Sequence, residues 1–149
     1  MKQLTFQREE VTHSLFNEAL PLLKEHYREI ARFKEVPLDV DIDQYVACEK
    51  AGILKCYTAR GEGELIGYSN YIIRAHPHFK SSIQAISDIL YISPSHRGFG
   101  KQFLLWCEQQ LRDCGVQYVY QAVTPECDFG HLLERINYSR VDSTYAKRL

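Results

Sequence analysis

The stretch Ser87–Gln102 reads SDILYISPSHRGFGKQ, and it predicts three consecutive structures. Its first part, through Ile92, is rich in β-branched and aromatic residues and is typical of a buried strand. Pro94 ends that strand, because proline donates no hydrogen bond to a sheet. Gly98 and Gly100 allow a tight turn, and apolar residues at helical spacing follow, so a helix begins near Gly100.

A strand that leads through a glycine turn into a helix is a common anion-binding arrangement. The first N–H groups of a helix have no partner within it, and the helix dipole places about half a positive charge there. Arg97 and Lys101 add two cations at the same point. The stretch is not a nucleotide P-loop, because Gln102 stands where that motif has Ser or Thr. It is not a dinucleotide fingerprint either, because residue 103 is Phe.

The composition is typical of a globular protein. The chain has 149 residues, of which 45% are hydrophobic and 12% aromatic, which suits one domain over residues 1–149. The net charge of −1 argues against a nucleic-acid partner. No stretch is long and apolar enough to cross a membrane, so we expect a cytoplasmic protein without a membrane partner.

The five cysteines show no Cys-x-x-Cys spacing, which argues against a disulfide framework or a zinc site. Cys127 is the one cysteine that could act as a nucleophile. No base is adjacent to it in the sequence, so an ordinary loop cysteine is the favoured interpretation. We therefore expect no bound metal.

The order of elements predicts an α/β (α+β) fold, with a mixed, mostly antiparallel sheet and helices on both faces. Pro21 is expected to end or kink the first helix. The predicted strands cover residues 4–6, 54–60, 64–74, 84–93, 116–123, 138–140 and 143–147. The predicted helices cover residues 12–20, 22–33, 39–50, 101–114 and 130–136.

The pattern Ile92-x-Pro94-x-x-Arg97-Gly98-x-Gly100, followed by an amphipathic helix, resembles motif A of the GNAT acyltransferase superfamily. The order of elements resembles the GNAT fold as well. The resemblance implies that the loop binds the pyrophosphate of coenzyme A and that the cofactor is acetyl-CoA. Gln102 departs from the small residue that usually ends the motif. The residues expected to contact the cofactor are Leu90, Tyr91, Ile92, Arg97, Gly98, Phe99, Gly100, Lys101 and Gln102.

The resemblance also implies the catalytic residues. In that family a carboxylate on the strand before the loop often serves as general base, and Asp88 stands there. Asp88 could instead anchor the substrate or pair with a basic residue. The family's tyrosine general acid falls on Leu133, which cannot donate a proton. Tyr145 could replace it, although a core tyrosine in a last strand is the commoner case. A backbone N–H near Tyr91 or Ile92 would bind the oxyanion.

In the GNAT fold, the early helices and a hairpin line the acceptor cleft. The residues expected to bind the substrate there are His26, Tyr27, Glu29, His76 and His78. A histidine could relay a proton to Asp88. A metal site formed by His76, His78 and Asp88 is a weaker alternative.

The expected function is that of an N-acetyltransferase of the EC 2.3.1 type. It would move an acetyl group from acetyl-CoA to a primary amine of a small molecule or a protein. The alternative is a non-catalytic GNAT-like module that binds coenzyme A or a partner protein. The chain is also similar to a branch of the family found in phage and prophage genomes. A homodimer is left open.

Overall fold

A computed structural model describes residues 4–149 and places a five-stranded sheet at the centre of the fold. The strands lie side by side in chain order; β1 to β4 pair antiparallel, and β5 is parallel to β4. This confirms the predicted mixed, mostly antiparallel sheet. The parallel pair also confirms the predicted strand–helix–strand crossover. The strands are β1 (Leu4–Arg8), β2 (Leu54–Gly61), β3 (Glu64–His76), β4 (Phe79–Ile92) and β5 (Tyr118–Tyr120).

Helices cover both faces of the sheet, as predicted. Adjacent residues of a strand point to opposite faces, and the neighbours Cys56 and Tyr57 of β2 show the two layers. Cys56 packs with residues of α1 and α2, while Tyr57 packs with residues of α3. The helices are α1 (His13–Ile30), α2 (Ile42–Lys50), α3 (Gly100–Asp113) and α4 (Gly130–Arg135), and a 3-10 helix (Pro94–Phe99) precedes α3.

The first helix does not end at Pro21, so the predicted break there is wrong, while a kink at Pro21 stays a prediction. α1 runs without interruption from His13 to Ile30, and the Thr12 side chain caps it by accepting a hydrogen bond from the Leu15 N–H. Pro21 lacks an N–H and leaves the carbonyl of the residue four positions earlier without its helical donor. Pro21 and that residue, Asn17, are both exposed, so water can bind the carbonyl.

The two strands predicted after α4 are also wrong. Residues 138–149 form no regular secondary structure. Alternating apolar and polar residues form a strand only where a sheet edge supplies hydrogen bonds, and β5 offers an edge of only three residues. Asn137, which was expected to tolerate a positive φ, has a φ of 72°.

All five strands differ from their predicted ranges, by one or two residues for β1, β2 and β3 and by more for β4 and β5. β4 begins at Phe79 rather than at residue 84, because its polar first part pairs with β3 in a long hairpin. β5 covers Tyr118–Tyr120 rather than residues 116–123. The sheet is therefore long on the β3–β4 side and short at the β5 edge.

Gly67 stands at a close approach of β3 and β4. It lies opposite Ile92, and a Cβ added to it would lie 2.8 Å from the Tyr91 carbonyl oxygen. Because that oxygen belongs to the backbone, the strands would have to shift. We predict that Gly67→Ala lowers the free energy of unfolding by about 1–3 kcal/mol, measured by urea denaturation.

Gly98→Ala is the control, because a Cβ there meets no atom within 4 Å. Equal stability of the two variants would contradict the close approach at Gly67.

Candidate active site

The end of β4 has an open edge. β4 pairs with β5 only over Gln84–Ile86, but it continues to Ile92. Within the described part of the chain, residues 87–92 therefore have no strand partner on the β5 side. Their outward backbone groups are available to a ligand, because an unpaired strand edge presents a row of N–H and C=O groups.

The N–H groups that face this edge can be identified from the alternation of the strand. The Ser93 N–H donates to a β3 carbonyl at 2.9 Å. Alternate residues of a strand direct their N–H groups to opposite sides, so those of Ile92 and Leu90 face the open edge and that of Tyr91 faces β3. The Ile92 carbonyl accepts a 3.3 Å hydrogen bond from Arg97 Nε, which agrees with this direction. The oxyanion donor, expected near Tyr91 or Ile92, is thus narrowed to the N–H of Ile92 or Leu90, and its contact with an oxyanion stays a prediction.

Asp88 lies at a β-bulge in β4. Opposite the β3 pair Asn70 and Tyr71, β4 has one extra residue, which is Asp88. Bulges redirect side chains and are frequent near active sites. Here the exposed Asp88 carboxylate points towards α2, where its Oδ2 accepts a 2.7 Å hydrogen bond from the Tyr45 hydroxyl.

Tyr45 is a residue of this site that the sequence did not predict. Burial and the hydrogen bond to Asp88 raise the pKa of Tyr45 above its ordinary range, so the phenol keeps its proton and remains a donor. The contact joins residues that are far apart in the chain, and no local pattern marks it.

The N-terminus of α3 is accessible, as an anion site requires. Its N-cap, Phe99, makes no side-chain hydrogen bond, and Lys101 and Gln102 are exposed beside it. The expected tight glycine turn is wrong, because a 3-10 helix leads into α3 and neither Gly98 nor Gly100 has a positive φ. The space in front of Gly98 is open, which allows a ligand to approach the backbone closely.

Arg97 is not a free cation at the loop. Its Nη2 donates to Glu29 Oε1 at 2.6 Å, and its guanidinium lies 5.8 Å from the centre of the Tyr91 ring. The hydrogen bond from Arg97 lowers the pKa of Glu29, so this carboxylate stays ionised. The pair connects α1 to the segment before α3. Contact of Arg97 with a phosphate stays a prediction.

His26 packs against Tyr91 near the end of β4. Its side chain is buried, with 6% of the residue exposed; it stacks on Tyr91 with ring centres 4.6 Å apart and shares a 3.1 Å hydrogen bond with the Tyr68 hydroxyl. Burial lowers the pKa of His26 to about 4, so the ring is neutral at pH 7. The structure thus gives His26 a packing role, and contact with a substrate stays a prediction.

Tyr27 and Cys127 make contacts of other kinds. The Tyr27 hydroxyl donates to the carbonyls of Lys34 and Val36 and so holds the segment after α1. Cys127 lies beside Glu29, and burial together with a hydrogen bond to that carboxylate raises the pKa of the thiol. The structure does supply Cys127 with a neighbouring carboxylate, but a thiol that keeps its proton is a poor nucleophile.

His76 and His78 lie at the far end of the β3–β4 hairpin. From Phe79 to Asp88 the strand rises by roughly 30 Å at ~3.3 Å per residue. A direct proton relay or a shared metal site with Asp88 is therefore wrong. Within residues 4–149, no group of three or more His, Cys, Asp or Glu residues could hold a metal ion. Substrate binding by the two histidines stays a prediction.

Tyr145 lies in the irregular C-terminal segment. The residue is 92% exposed, so the expectation of a core tyrosine is wrong. The described contacts do not place it near Asp88, and its role as a general acid stays a prediction.

In the part of the chain that the structure describes, no helix has the length and apolar character needed to cross a membrane.

The buried His26 should make stability depend on pH. Its pKa in the folded protein, about 4, lies below the ordinary 6.5, so between these values the unfolded chain binds more protons at this residue. The free energy of unfolding should therefore fall as the pH falls from about 6.5 to about 4, by on the order of 2 kcal/mol. Urea unfolding at several pH values measures this loss.

His26→Gln should flatten this pH dependence, whereas His131→Gln at an exposed position of α4 should not. If His26→Gln retains the wild-type slope, the buried neutral imidazole is not its source.

A family model described as the acetyltransferase (GNAT) family matches residues 13–130. Among solved structures, one similar to this chain is a ribosomal-protein-alanine N-acetyltransferase from Brucella melitensis biovar Abortus 2308, with 18% identity, a TM-score of 0.71 and 99% of each chain covered. Another is an aminoglycoside acetyltransferase from an uncultured soil metagenomic sample, with 10% identity, a TM-score of 0.75 and 99% of each chain covered.

A third similar structure is an acetyltransferase from Clostridium acetobutylicum with acetyl-CoA. It has 10% identity and a TM-score of 0.69, and the match covers 98% of this chain and 96% of that one. No curated protein sequence matches this chain. At these identities, the similar structures show a common fold.

Proposed function

Because this chain belongs to the GNAT acetyltransferase family, whose acyl donor is acetyl-CoA, we propose that it transfers an acetyl group from acetyl-CoA to a primary amine of a small molecule or a protein. The observation that carries this proposal is the arrangement along β4. The strand has an open edge at residues 87–92, a bulged carboxylate at Asp88 beside that edge, and an accessible helix N-terminus just beyond it.

The residues of the chain fit acetyl-CoA. The N–H groups at the start of α3 and the Lys101 ammonium suit a diphosphate, and the open space at Gly98 lets it approach. The open edge of β4 suits the amide groups of the pantetheine arm, which can pair with a strand edge. When bound, acetyl-CoA supplies an acetyl group activated as a thioester.

Asp88 is suited to remove the proton from the amine. A lysine-like amine with a pKa of ~10.4 is almost entirely protonated at pH 7 and must lose a proton before it attacks. Tyr45 donates to Oδ2 of Asp88, which fixes the carboxylate and leaves Oδ1 for the amine or an intervening water. Because Asp88 is exposed, the proton can pass on to solvent.

The backbone of β4 supplies the second catalytic element. The N–H of Ile92 or Leu90 can donate to the acyl oxygen as negative charge develops on it. A leaving thiolate with a pKa of ~8.5 needs little protonation, so a general acid is not essential. Tyr145 remains the proposed donor if one is used.

The alternative is a non-catalytic module that binds coenzyme A or a partner protein. Two observations favour it: Leu133 stands where the resemblance places the family's tyrosine acid, and Arg97 is held by Glu29. Isothermal titration with acetyl-CoA and a thiol-release assay over a panel of amines separate the two. Binding without turnover favours the module. The likeness to the phage and prophage branch stays a prediction and does not decide between them.

If the diphosphate of acetyl-CoA binds in front of Gly98, a substitution there should stabilise the protein and weaken its binding of acetyl-CoA. The φ of Gly98 suits alanine and no protein atom opposes a Cβ there, so Gly98→Ala should raise the free energy of unfolding by about 0.5 kcal/mol. The same Cβ occupies space that the diphosphate needs, so the Kd for acetyl-CoA should rise at least about 10-fold. Urea denaturation and isothermal titration measure the two effects. Unchanged affinity would show that the diphosphate binds elsewhere.

If Asp88 is the general base, its substitution should lower kcat without weakening the binding of acetyl-CoA. Asp88→Asn should leave the Kd for acetyl-CoA within about 2-fold, because the carboxylate lies away from the α3 N-terminus, and should lower kcat about 100-fold or more. Asp142→Asn, at an exposed position of the C-terminal segment, should change neither. Intact turnover of Asp88→Asn between pH 6 and 9 would rule out the base.

A further inference from the structure

A cavity of about 210 Å³ lies between α1, α2 and the sheet. Its walls are mostly aliphatic and aromatic, with Leu15, Ala19 and Leu23 from α1 and Leu38 and Val40 from the segment between the helices. An apolar cavity of about 150 Å³ holds a benzene ring, so this one has room for a ring with a short substituent.

Among residues 4–149, no Asp, Glu, Lys or Arg side chain lines this cavity. An ammonium group placed inside it would lose its hydration without gaining a partner, which is strongly unfavourable. Ligands with many charges, such as aminoglycosides, therefore do not suit it. The cavity suits the uncharged, apolar part of a ligand whose charged part stays outside.

Two residues that line the cavity each carry a buried polar side-chain atom that has no partner within the described residues. These atoms are the hydroxyl of Thr58, a residue that is 1% exposed, and the side-chain oxygen of Asn70. Buried polar atoms are almost always hydrogen-bonded, so a polar group is expected against them. A single hydroxyl on an otherwise apolar ligand would meet this need.

Two residues of the cavity wall adjoin the proposed base. Tyr45 forms part of the wall and donates to Asp88, and Ile89, the next residue along β4, also lines the cavity. An amine held at Asp88 would therefore have this cavity next to it, and an apolar body attached to the amine could fill it. The cavity would hold the apolar body of such a molecule, and Asp88 would hold its amine.

We propose that the acceptor is a primary amine with an apolar body of about one ring, aryl or branched alkyl, that carries at most one hydroxyl. This inference rests on the proposed function and narrows its substrate. The amine is held at Asp88, and the body fills the cavity between α1, α2 and the sheet. Aminoglycosides and lysine-rich peptides are excluded as preferred acceptors, because their charged groups have no partner in the cavity.

The test compares acceptors of different shape in a thiol-release assay with acetyl-CoA. We expect kcat/KM for 2-phenylethylamine and tyramine to exceed that for kanamycin or a lysine peptide about 100-fold or more. Methylamine, which is too small to use the cavity, reports on the transfer step alone. If kanamycin or the peptide is the better acceptor, the proposal is overturned while the acetyltransferase function stands.

Two variants test the cavity itself. Ala19→Phe fills it and should raise KM for 2-phenylethylamine about 10-fold, with kcat/KM for methylamine and the Kd for acetyl-CoA within about 2-fold. Asn17→Phe, on the exposed side of α1, is its matched control. Thr58→Val keeps the side-chain shape, removes the hydroxyl and should weaken tyramine more than 2-phenylethylamine. If KM for 2-phenylethylamine is unchanged in a folded Ala19→Phe protein, the amine does not use the cavity.

A direct binding measurement tests whether the cavity binds an amine without requiring acetyl transfer. 2-Phenylethylamine is titrated into the protein with saturating coenzyme A, without any transfer. If no amine is acetylated, the proposed function fails, yet binding that is lost in Ala19→Phe and kept in Asn17→Phe still supports the cavity as the amine site. Absence of binding to the wild-type protein overturns the inference.

Discussion

The early end of the β4–β5 pairing is the constraint on which the site depends. β5 pairs with β4 only up to Ile86, and the β-bulge at Asp88 follows almost at once. A bulge increases the local twist of a strand and redirects its side chains, while β3 still pairs with the remainder of β4. The open strand edge and the carboxylate that points towards α2 therefore lie within the same few residues. The edge and the carboxylate stay in register because they belong to the same few residues.

Helix α1 holds this opened strand in place with neutral as well as charged contacts. Glu29 anchors Arg97, and His26 fills the space above Tyr91. A charged imidazole in that buried position would face the Arg97 guanidinium, whose charge helps to lower the pKa of His26. The stack therefore forms with a neutral ring. The helix can lie against the end of β4 without a buried cation at His26, and the Glu29–Arg97 pair ties the segment before α3 to α1.

The sequence predicted what depends on local pattern and did not predict what depends on contacts across the fold. The strand–helix unit around residues 87–102 was predicted because hydrophobic periodicity and glycine placement are local features of the sequence. The Tyr45–Asp88 contact has no such local feature. Pro21 shows the reverse case, in which tertiary packing overrides a strong local signal, because the helix buries residues on both sides of the proline.

The proposed acetyl-CoA site, here the donor half, is built mainly from backbone, whereas the proposed acceptor half is built from side chains. The two halves therefore differ in how strongly they depend on the sequence. The donor half consists of backbone: a strand edge, a helix N-terminus and glycines that leave space. Many side chains are compatible with it, whereas the structures with 10–18% identity to this chain show only that the fold is shared. The acceptor half consists of side chains from α1, α2 and the segment between them. Its shape and polarity change with each substitution, so the acceptor has to be read from this chain's own cavity and cannot be carried over from a common fold.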